Sequence, residues 1–431
     1  MNEVFEKRVK EYFGDKSDLF MSCMKEPCTQ AFFINEAKAD PETILSLIDF
    51  PYSESELSKE SYYHNHENIG KSKAYELGLI YPQEIAASLT SKYVDPTGIH
   101  LIVDMCAAPG GKSINILNRI KDDVLLISND VSHNRASILS SNLERLGFDN
   151  VIVTNKKCED LARQLEDQAD LVILDAPCSG EGMIRKYPEI LDTYSIANIE
   201  SLAKTQSQLL EEAYQMLKQG GQLVYSTCTF AFEEDEDQIA SFLEKHNDMK
   251  LIPIEMDSVS KLKGTVKLSF LDHTEGQFFA LLKKDCEGSS SHLKEMKTVK
   301  DKIVEDFIQE NLLLDHYYLY KNNEHYYLSL KLLPDIKGNV LRYGIYLGDL
   351  IKKRFEPSHH LYRANSLKGK YRYTYDLDEQ QYDDFVSGKE IKASLDDHYY
   401  QLTYKGIALG YGKCVKGTIK NKYPKGLRRM I

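Results

Sequence analysis

The 431-residue sequence has no tryptophan, no apolar run of membrane-spanning length and no G-x-G-x-x-G in its glycine-rich loop. The second absence excludes a predicted membrane span, and the third disfavours a dinucleotide site. Eight cysteines are scattered without paired spacing, so neither a disulfide framework nor a metal site is expected. The opening Met1–Arg8 lacks the apolar core of a secretion signal, and a reducing cytoplasm is the expected compartment. No internal repeat or heptad array occurs. The net charge of −12 argues against indiscriminate nucleic-acid binding, which rests on neutralising phosphates. One stretch runs the other way. From Lys413 to Ile431 there are Lys413, Lys416, Lys420, Lys422, Lys425, Arg428 and Arg429, with no acid between them. That run reads either as a solvated tail or as a basic patch for phosphate.

What is present divides the chain. Its length calls for two or three domains. Residues 1–92 mix helical patterns at Val4–Phe13 and Glu42–Leu47 with a short apolar strand at Ala31–Asn35, which reads as a small α+β domain. Tyr81-Pro82-Gln83-Glu84 is predicted to open a helix, with proline in the first turn. From 93 to 285, apolar strands alternate with helical stretches. The strands are predicted at His100–Met105, Val124–Ser128, Val151–Thr154, Leu171–Asp175, Gln222–Ser226 and Phe278–Leu282. The helices fall at Ser113–Ile120, Ser132–Leu146, Ala197–Leu217 and Glu234–Lys245, and Gly220-Gly221 is expected to end the third. This pattern is that of a parallel sheet covered on both faces, an α/β doubly wound fold. Lys283–Ser291 reads as a linker. From 295 to 431 tyrosines become dense among alternating residues, as on half-buried strands, and most of them are expected to pack. Turns are predicted at Ser387-Gly388 and Lys405-Gly406, and two subdomains, 295–365 and 366–431, are expected.

The chemistry concentrates at three strand ends. Asp104-Met105-Cys106-Ala107-Ala108-Pro109-Gly110-Gly111-Lys112 reads as a strand, a glycine-rich loop and a helix start. Such a loop admits a ligand close to the backbone, and the helix N-terminus adds donors and partial positive charge. Asp130 ends the next strand, where an acid commonly grips ribose hydroxyls; the other reading is a cap for the helix near Ser132. Asp175-Ala176-Pro177-Cys178 and Ser226-Thr227-Cys228 each put a thiol at a strand end. Two thiols and an aspartate beside a cofactor loop suit one-carbon transfer to an electron-poor ring. A pyrimidine carbon is not nucleophilic until a thiolate adds to its neighbour. An acid must then support the ring nitrogen, and a base must remove the displaced proton.

Cys106–Lys112, Asp175–Lys186 and Tyr225–Thr229 closely resemble the Sun-type RNA cytosine-5 methyltransferases. The resemblance covers nearly the whole chain. Arg342–Gly348, Arg354–His359 and Lys420–Arg428 resemble the bacterial branch called ribosomal small-subunit methyltransferase F. It implies a Rossmann-like core whose sheet ends in an antiparallel hairpin, with an RNA-binding N-terminal domain and a β-rich C-terminal region, PUA-like at its end. The implied cofactor is S-adenosylmethionine, held by Cys106, Ala107, Ala108, Pro109, Gly110, Gly111, Lys112, Asp130, Arg135 and Asp175. By the same resemblance Cys228 adds to the cytosine and Cys178 acts in proton removal and release. Asp175 hydrogen-bonds the ring nitrogen in a protonated or shared-proton state; Lys112, read from its place at the helix start, either caps that site electrostatically or is simply solvated. DNA enzymes use the Pro-Cys thiol as nucleophile, so the presence of both motifs favours RNA. Arg185-Lys186 is expected at the RNA backbone. The other cysteines, Cys23, Cys28, Cys158, Cys286 and Cys414, read as inert.

Two positions depart from the family pattern. Lys156-Lys157 stand where relatives carry an acid for the adenine amino group, with Glu159 and Asp160 nearby, and Phe33-Ile34-Asn35 lacks an Arg, which predicts a lost RNA or interdomain contact. The expected substrate is small-subunit ribosomal RNA, within the subunit or an assembly intermediate, met by a monomer without metal or membrane. Transfer RNA methylation and a non-catalytic assembly factor are the rival readings. The intact thiol pair weighs against the second, and the C-terminal segments weigh against the first.

Overall fold

A computed structural model describes residues 2–120, 124–285 and 293–429. Of the linker expected at Lys283–Ser291, Lys283 and Lys284 instead belong to a strand paired with Met249–Ile252, and residues 286–291, with Cys286, lie outside the described residues. Strands β1 (Leu101–Asp104), β2 (Leu125–Asn129), β3 (Val151–Thr154), β4 (Ala169–Asp175) and β5 (Leu217–Thr227) pair in parallel in the spatial order β3-β2-β1-β4-β5. Apart from the start of β5, they are largely apolar because helices cover both faces. These are α1 (Gly111–Arg119), α2 (His133–Leu146), α3 (Cys158–Gln164), α4 (Ile196–Met216) and α5 (Glu236–Lys245). Three antiparallel strands finish one edge: β6 (Met249–Ile252), β7 (Val266–Leu268) and β8 (Gln277–Lys284), with β8 lying against β5. This is the doubly wound, Rossmann-like core.

The opposite edge comes from far along the chain. Strand β9 (Val340–Tyr343) runs antiparallel to β3. Its Arg342, 1% exposed, explains why an arginine stands in that motif: Nε donates to the Gly344 carbonyl at 2.8 Å and Nη2 to that of Phe148. Around β9 the C-terminal region forms a four-stranded sheet from residues 318–357 and a five-stranded one from residues 374–421. Tyr320, Tyr326, Tyr327 and Tyr343 are buried and serve as packing.

Two local expectations are corrected. Ile80–Pro82 is an edge strand paired with Phe32–Ile34, where the missing proline donor costs no ladder bond. The helix starts later, at Ile85, with the Glu84 carboxylate accepting from the Ala87 amide. Likewise α4 ends at Met216 and passes directly into β5, because Leu217 is already extended (φ −74°, ψ 120°). Gly220, at φ +77°, sits inside the strand, where its register with β4 shifts.

The two chain ends share one core, in which Phe32 and Ile80 pack with Leu377, Tyr382 and Leu402. At its border lies Arg363, 2% exposed, which donates to the carbonyls of Leu409 (2.9 Å), Glu76 (2.8 Å) and Arg145 (2.7 Å). One guanidinium thus ties the C-terminal sheet, the N-terminal domain and α2 by charge-assisted bonds. Asn35 adds an interdomain bond from its amide to the Leu146 carbonyl at 2.9 Å.

The basic run is not a solvated tail. Arg429 pairs with Glu76 at 2.7 Å, Lys420 with Glu390 at 2.8 Å, and Arg428 donates to the Tyr423 carbonyl at 3.2 Å. Among the described residues no helix is long and apolar enough to cross a membrane, and no group of three metal-ligating side chains gathers.

Candidate active site

The sheet's strand order reverses between β1 and β4, and ligands of open α/β sheets bind outside the strand ends at such a point. After β1 the chain turns through Cys106–Gly110 into α1. Gly110 has φ +118°, and a Cβ there would lie 3.1 Å from Leu139 Cδ1, so both backbone and space favour glycine. The turn is held in place by Ala107 N donating to the Asn129 carbonyl (2.8 Å) and by Arg135 Nη2 donating to that of Ala108 (2.6 Å). Asn129 organises three strand ends. Its amide reaches the carbonyls of Met105 (3.0 Å) and Lys156 (3.1 Å), and its Oδ1 accepts from Thr154 Oγ1 (2.7 Å).

Lys112 lies in the first turn of α1 with Nζ 2.8 Å from Asp175 Oδ2, and its side chain is 10% exposed, so it is not simply solvated. Asp175 Oδ1 accepts from Ser226 Oγ at 2.9 Å. Beneath them Asp104 is buried and accepts from Ser113 Oγ at 2.7 Å. Burial, aided by the nearby Asp175 carboxylate, pushes the Asp104 carboxyl up to about 7.

The two thiols meet. Cys178 Sγ lies 3.2 Å from Cys228 Sγ and accepts from the Cys228 amide at 3.3 Å; both are half-buried and neither is bridged. The Cys228 thiol beside it, and then burial, push Cys178 well above the ordinary thiol range. Residues not singled out in the sequence fix this geometry. Glu234 accepts from Ser179 N (2.9 Å) and Gln206 Nε2 (2.8 Å), while Gln206 also donates to the Pro177 carbonyl (2.9 Å). Glu181 accepts from Tyr194 Oη (2.6 Å), Thr229 Oγ1 (3.0 Å) and Phe230 N (2.9 Å), which clamps the loop after Cys228. The only sequence signal for Glu181 was an acid inside a Ser-Gly-Glu-Gly turn.

A cavity of about 570 Å³ is lined by Cys106, Asp130, Arg135, Asp175, Cys178 and Cys228, a usual size for a cofactor site. Ala107, Ala108, Pro109 and Gly110 continue the turn from Cys106 and Gly111 starts α1, and none of these five lines the cavity. Asp130 is not the helix cap; Ser132 holds that position, and Asp130 Oδ1 accepts from Ser132 N at 2.9 Å. Its Oδ2 is buried with no hydrogen-bond partner among the described residues, although Arg135 Nη1 lies 3.4 Å away. Glu212 of α4 joins the wall with a second unpartnered oxygen, Oε2, and Glu159 and Lys157 lie at the same end. Lys156 instead donates to the Lys337 carbonyl. Cys158 is buried among these elements, and Cys106 is pushed well above the thiol range by its bond with Cys158 and by burial.

Arg185 is corrected. It is enclosed by Glu275 (Nε–Oε2 3.1 Å), the Thr274 carbonyl (2.9 Å) and the Phe270 ring (4.5 Å), with 3% of its side chain exposed. It supports the loop and cannot meet RNA; its neighbour Lys186 is exposed.

The fold and cavity are those of a methyltransferase that uses S-adenosylmethionine. The cavity fits that cofactor, because unpartnered carboxylate oxygens on Asp130 and Glu212 await hydroxyl and amino donors. The family model "16S rRNA methyltransferase RsmB/F" matches residues 92–283. Models of the RsmF N-terminal domain, first C-terminal domain and PUA domain match 1–85, 306–364 and 372–429. The ribosomal RNA small subunit methyltransferase F of Shewanella sediminis is 30% identical over 395 residues, covering 84% of this chain and 81% of that protein. The tRNA (cytosine(49)-C(5))-methyltransferase of Pyrococcus abyssi is 35% identical over 250 residues, 56% of this chain and 79% of its own. A solved methyltransferase homolog from Pyrococcus horikoshii superposes with a TM-score of 0.59 at 26% identity, over 66% of this chain and 95% of that one. The chain belongs to the ribosomal RNA small subunit methyltransferase F family and is an RNA methyltransferase.

Proposed function

We propose that this protein methylates carbon 5 of a cytosine in small-subunit ribosomal RNA through a covalent Cys228–cytosine adduct. The observation that carries this reading is the pair of thiols 3.2 Å apart in the lining of the cofactor cavity. The RsmF-type matches on both sides of the core support ribosomal RNA as the substrate.

The target base must leave its stack to reach the thiols. Cys228 Sγ, as thiolate, adds to carbon 6, and the electron pair of the 5,6 double bond makes carbon 5 nucleophilic. Asp175 faces the ring nitrogen, and the Lys112 ammonium 2.8 Å away supplies the proton that the pair shares. When bound, S-adenosylmethionine offers an electrophilic methyl group. Asp130 would hold the ribose diol, and Glu212 would accept from the adenine amino group in place of the acid missing at Lys156-Lys157.

The two thiols act in order. While Cys228 can carry charge, Cys178 is held protonated beside it. Once the carbon–sulfur bond forms, that charge is gone and Cys178 can release its proton to solvent. Its thiolate then takes the proton from carbon 5, the double bond reforms, Cys228 leaves as thiolate, and the proton lent to the ring nitrogen returns through Asp175 to Lys112.

The function is tested by bisulfite sequencing of 16S ribosomal RNA from a strain lacking the gene. A cytosine protected in the parent should become convertible. An unchanged ribosomal pattern, with a transfer RNA cytosine losing protection instead, would move the substrate to transfer RNA.

Cofactor contacts are tested separately. Asp130→Ala should weaken S-adenosylmethionine binding by roughly 1–3 kcal/mol, the range for a hydrogen-bonding group left unpaired. Glu212→Leu should shift affinity in the same direction in the same titration. Unchanged affinity by calorimetry would return either residue to a purely structural role.

A further inference from the structure

At the end of α2 away from Arg135, a cleft of about 760 Å³ opens where the N-terminal domain, α2 and the last C-terminal residues meet. Five basic side chains line it, Lys71, Arg145, Arg363, Arg428 and Arg429, against two acidic ones, Glu76 and Glu144. Neither acid offsets them freely. Glu76 is engaged by Arg429 at 2.7 Å and by Tyr382 Oη at 2.5 Å, and burial pushes the Glu144 carboxyl up.

The guanidinium groups are incompletely used. Arg145 lies over the Tyr75 ring at 3.6 Å, and its Nη1 donates to the carbonyls of Tyr75 (2.9 Å) and Ile80 (3.1 Å). Its Nε and Nη2 are buried and have no partner among the described residues. Arg363 likewise leaves Nε unpartnered. Nε and Nη2 form one edge of the planar fork, the edge that grips a tetrahedral anion with two parallel bonds. Buried donors left unmade destabilise a fold unless something completes them.

We propose that this cleft binds a phosphodiester of the substrate RNA and anchors the strand away from the reacting base. The inference rests on the RNA-methylating reading above. A single small anion would not need the breadth of the cleft, whose rim extends from the exposed Lys71 to Arg428. Arg145 lies ten residues beyond Arg135 on α2, about 15 Å along the helix. One strand can therefore touch both ends. Asn142 connects them, since it lines the cleft and its amide donates to the Pro109 carbonyl of the cofactor loop at 2.9 Å. The end of the basic run thus has a place: Arg428 and Arg429 fold back to close one wall.

The test uses the full-length protein, a fluorescein-labelled RNA oligonucleotide, and the rim variants Lys71→Glu and Arg428→Glu. Each should weaken RNA binding roughly 3–10-fold and lower the salt slope by about 0.7 per lost phosphate contact. Melting temperature and S-adenosylmethionine affinity should stay unchanged, and KM for RNA should rise with kcat kept. Unaltered RNA affinity and salt slope in both folded variants overturns the proposal. Calorimetric binding of inorganic phosphate, with RNA affinity insensitive to both variants, makes this a small-anion site and also overturns it. Failure of the underlying reading shows differently: the wild type then transfers no tritiated methyl to ribosomal RNA, while the binding titration still decides the cleft.

Discussion

Cys228→Ala abolishes methyl transfer and leaves S-adenosylmethionine binding intact. The substitution removes only the attacking sulfur; the Cys228 amide can still donate to Cys178 Sγ, and Glu181 still clamps the following residues. Loss of a covalent nucleophile lowers turnover by roughly 10⁴-fold or more. Cys178 does not take its place, because its position is fixed by Gln206 and Glu234 through the Pro177–Ser179 backbone. Transfer of tritiated methyl to ribosomal RNA measures the loss, and calorimetry measures the cofactor. Normal turnover by this variant would end the assignment of Cys228.

Cys178→Ala gives the opposite phenotype. The adduct forms and then persists, so protein migrates with RNA on denaturing gels. The acceptor for the carbon 5 proton is gone, and Asp175 of the same cavity wall is already shared between Lys112 and Ser226. Wild-type protein should show little of this species, since resolution follows quickly. If Cys228→Ala traps RNA and Cys178→Ala does not, the two roles are reversed and the chemistry matches that of the DNA enzymes.

The parallel core was legible because its signals are local. An apolar run, a glycine-rich turn and a thiol at a strand end can each be read within ten residues, and Val151–Thr154 was read to the residue. What failed was non-local. Arg185 looked like an RNA contact until Glu275, ninety positions away, enclosed it. Gly220-Gly221 reads as a helix stop, but tertiary pairing with β4 drew both glycines into a strand. The basic run looked free because its partners, Glu76 and Glu390, lie outside it. Glu212, on a long helix with ordinary amphipathic spacing, had nothing to distinguish it until the cavity formed.

Strand β9 has a consequence for synthesis. The catalytic sheet's outer strand, Val151–Thr154, is made roughly 190 residues before Val340–Tyr343, which covers it. At ribosomal elongation rates that interval is on the order of 10–40 s. Through it, an apolar strand edge with unpaired amides faces the crowded surroundings of the ribosome, a template for pairing with any other extended chain. The nascent enzyme is therefore vulnerable after its active-site residues have all been made, and it stays so until a strand from beyond the core seals the sheet.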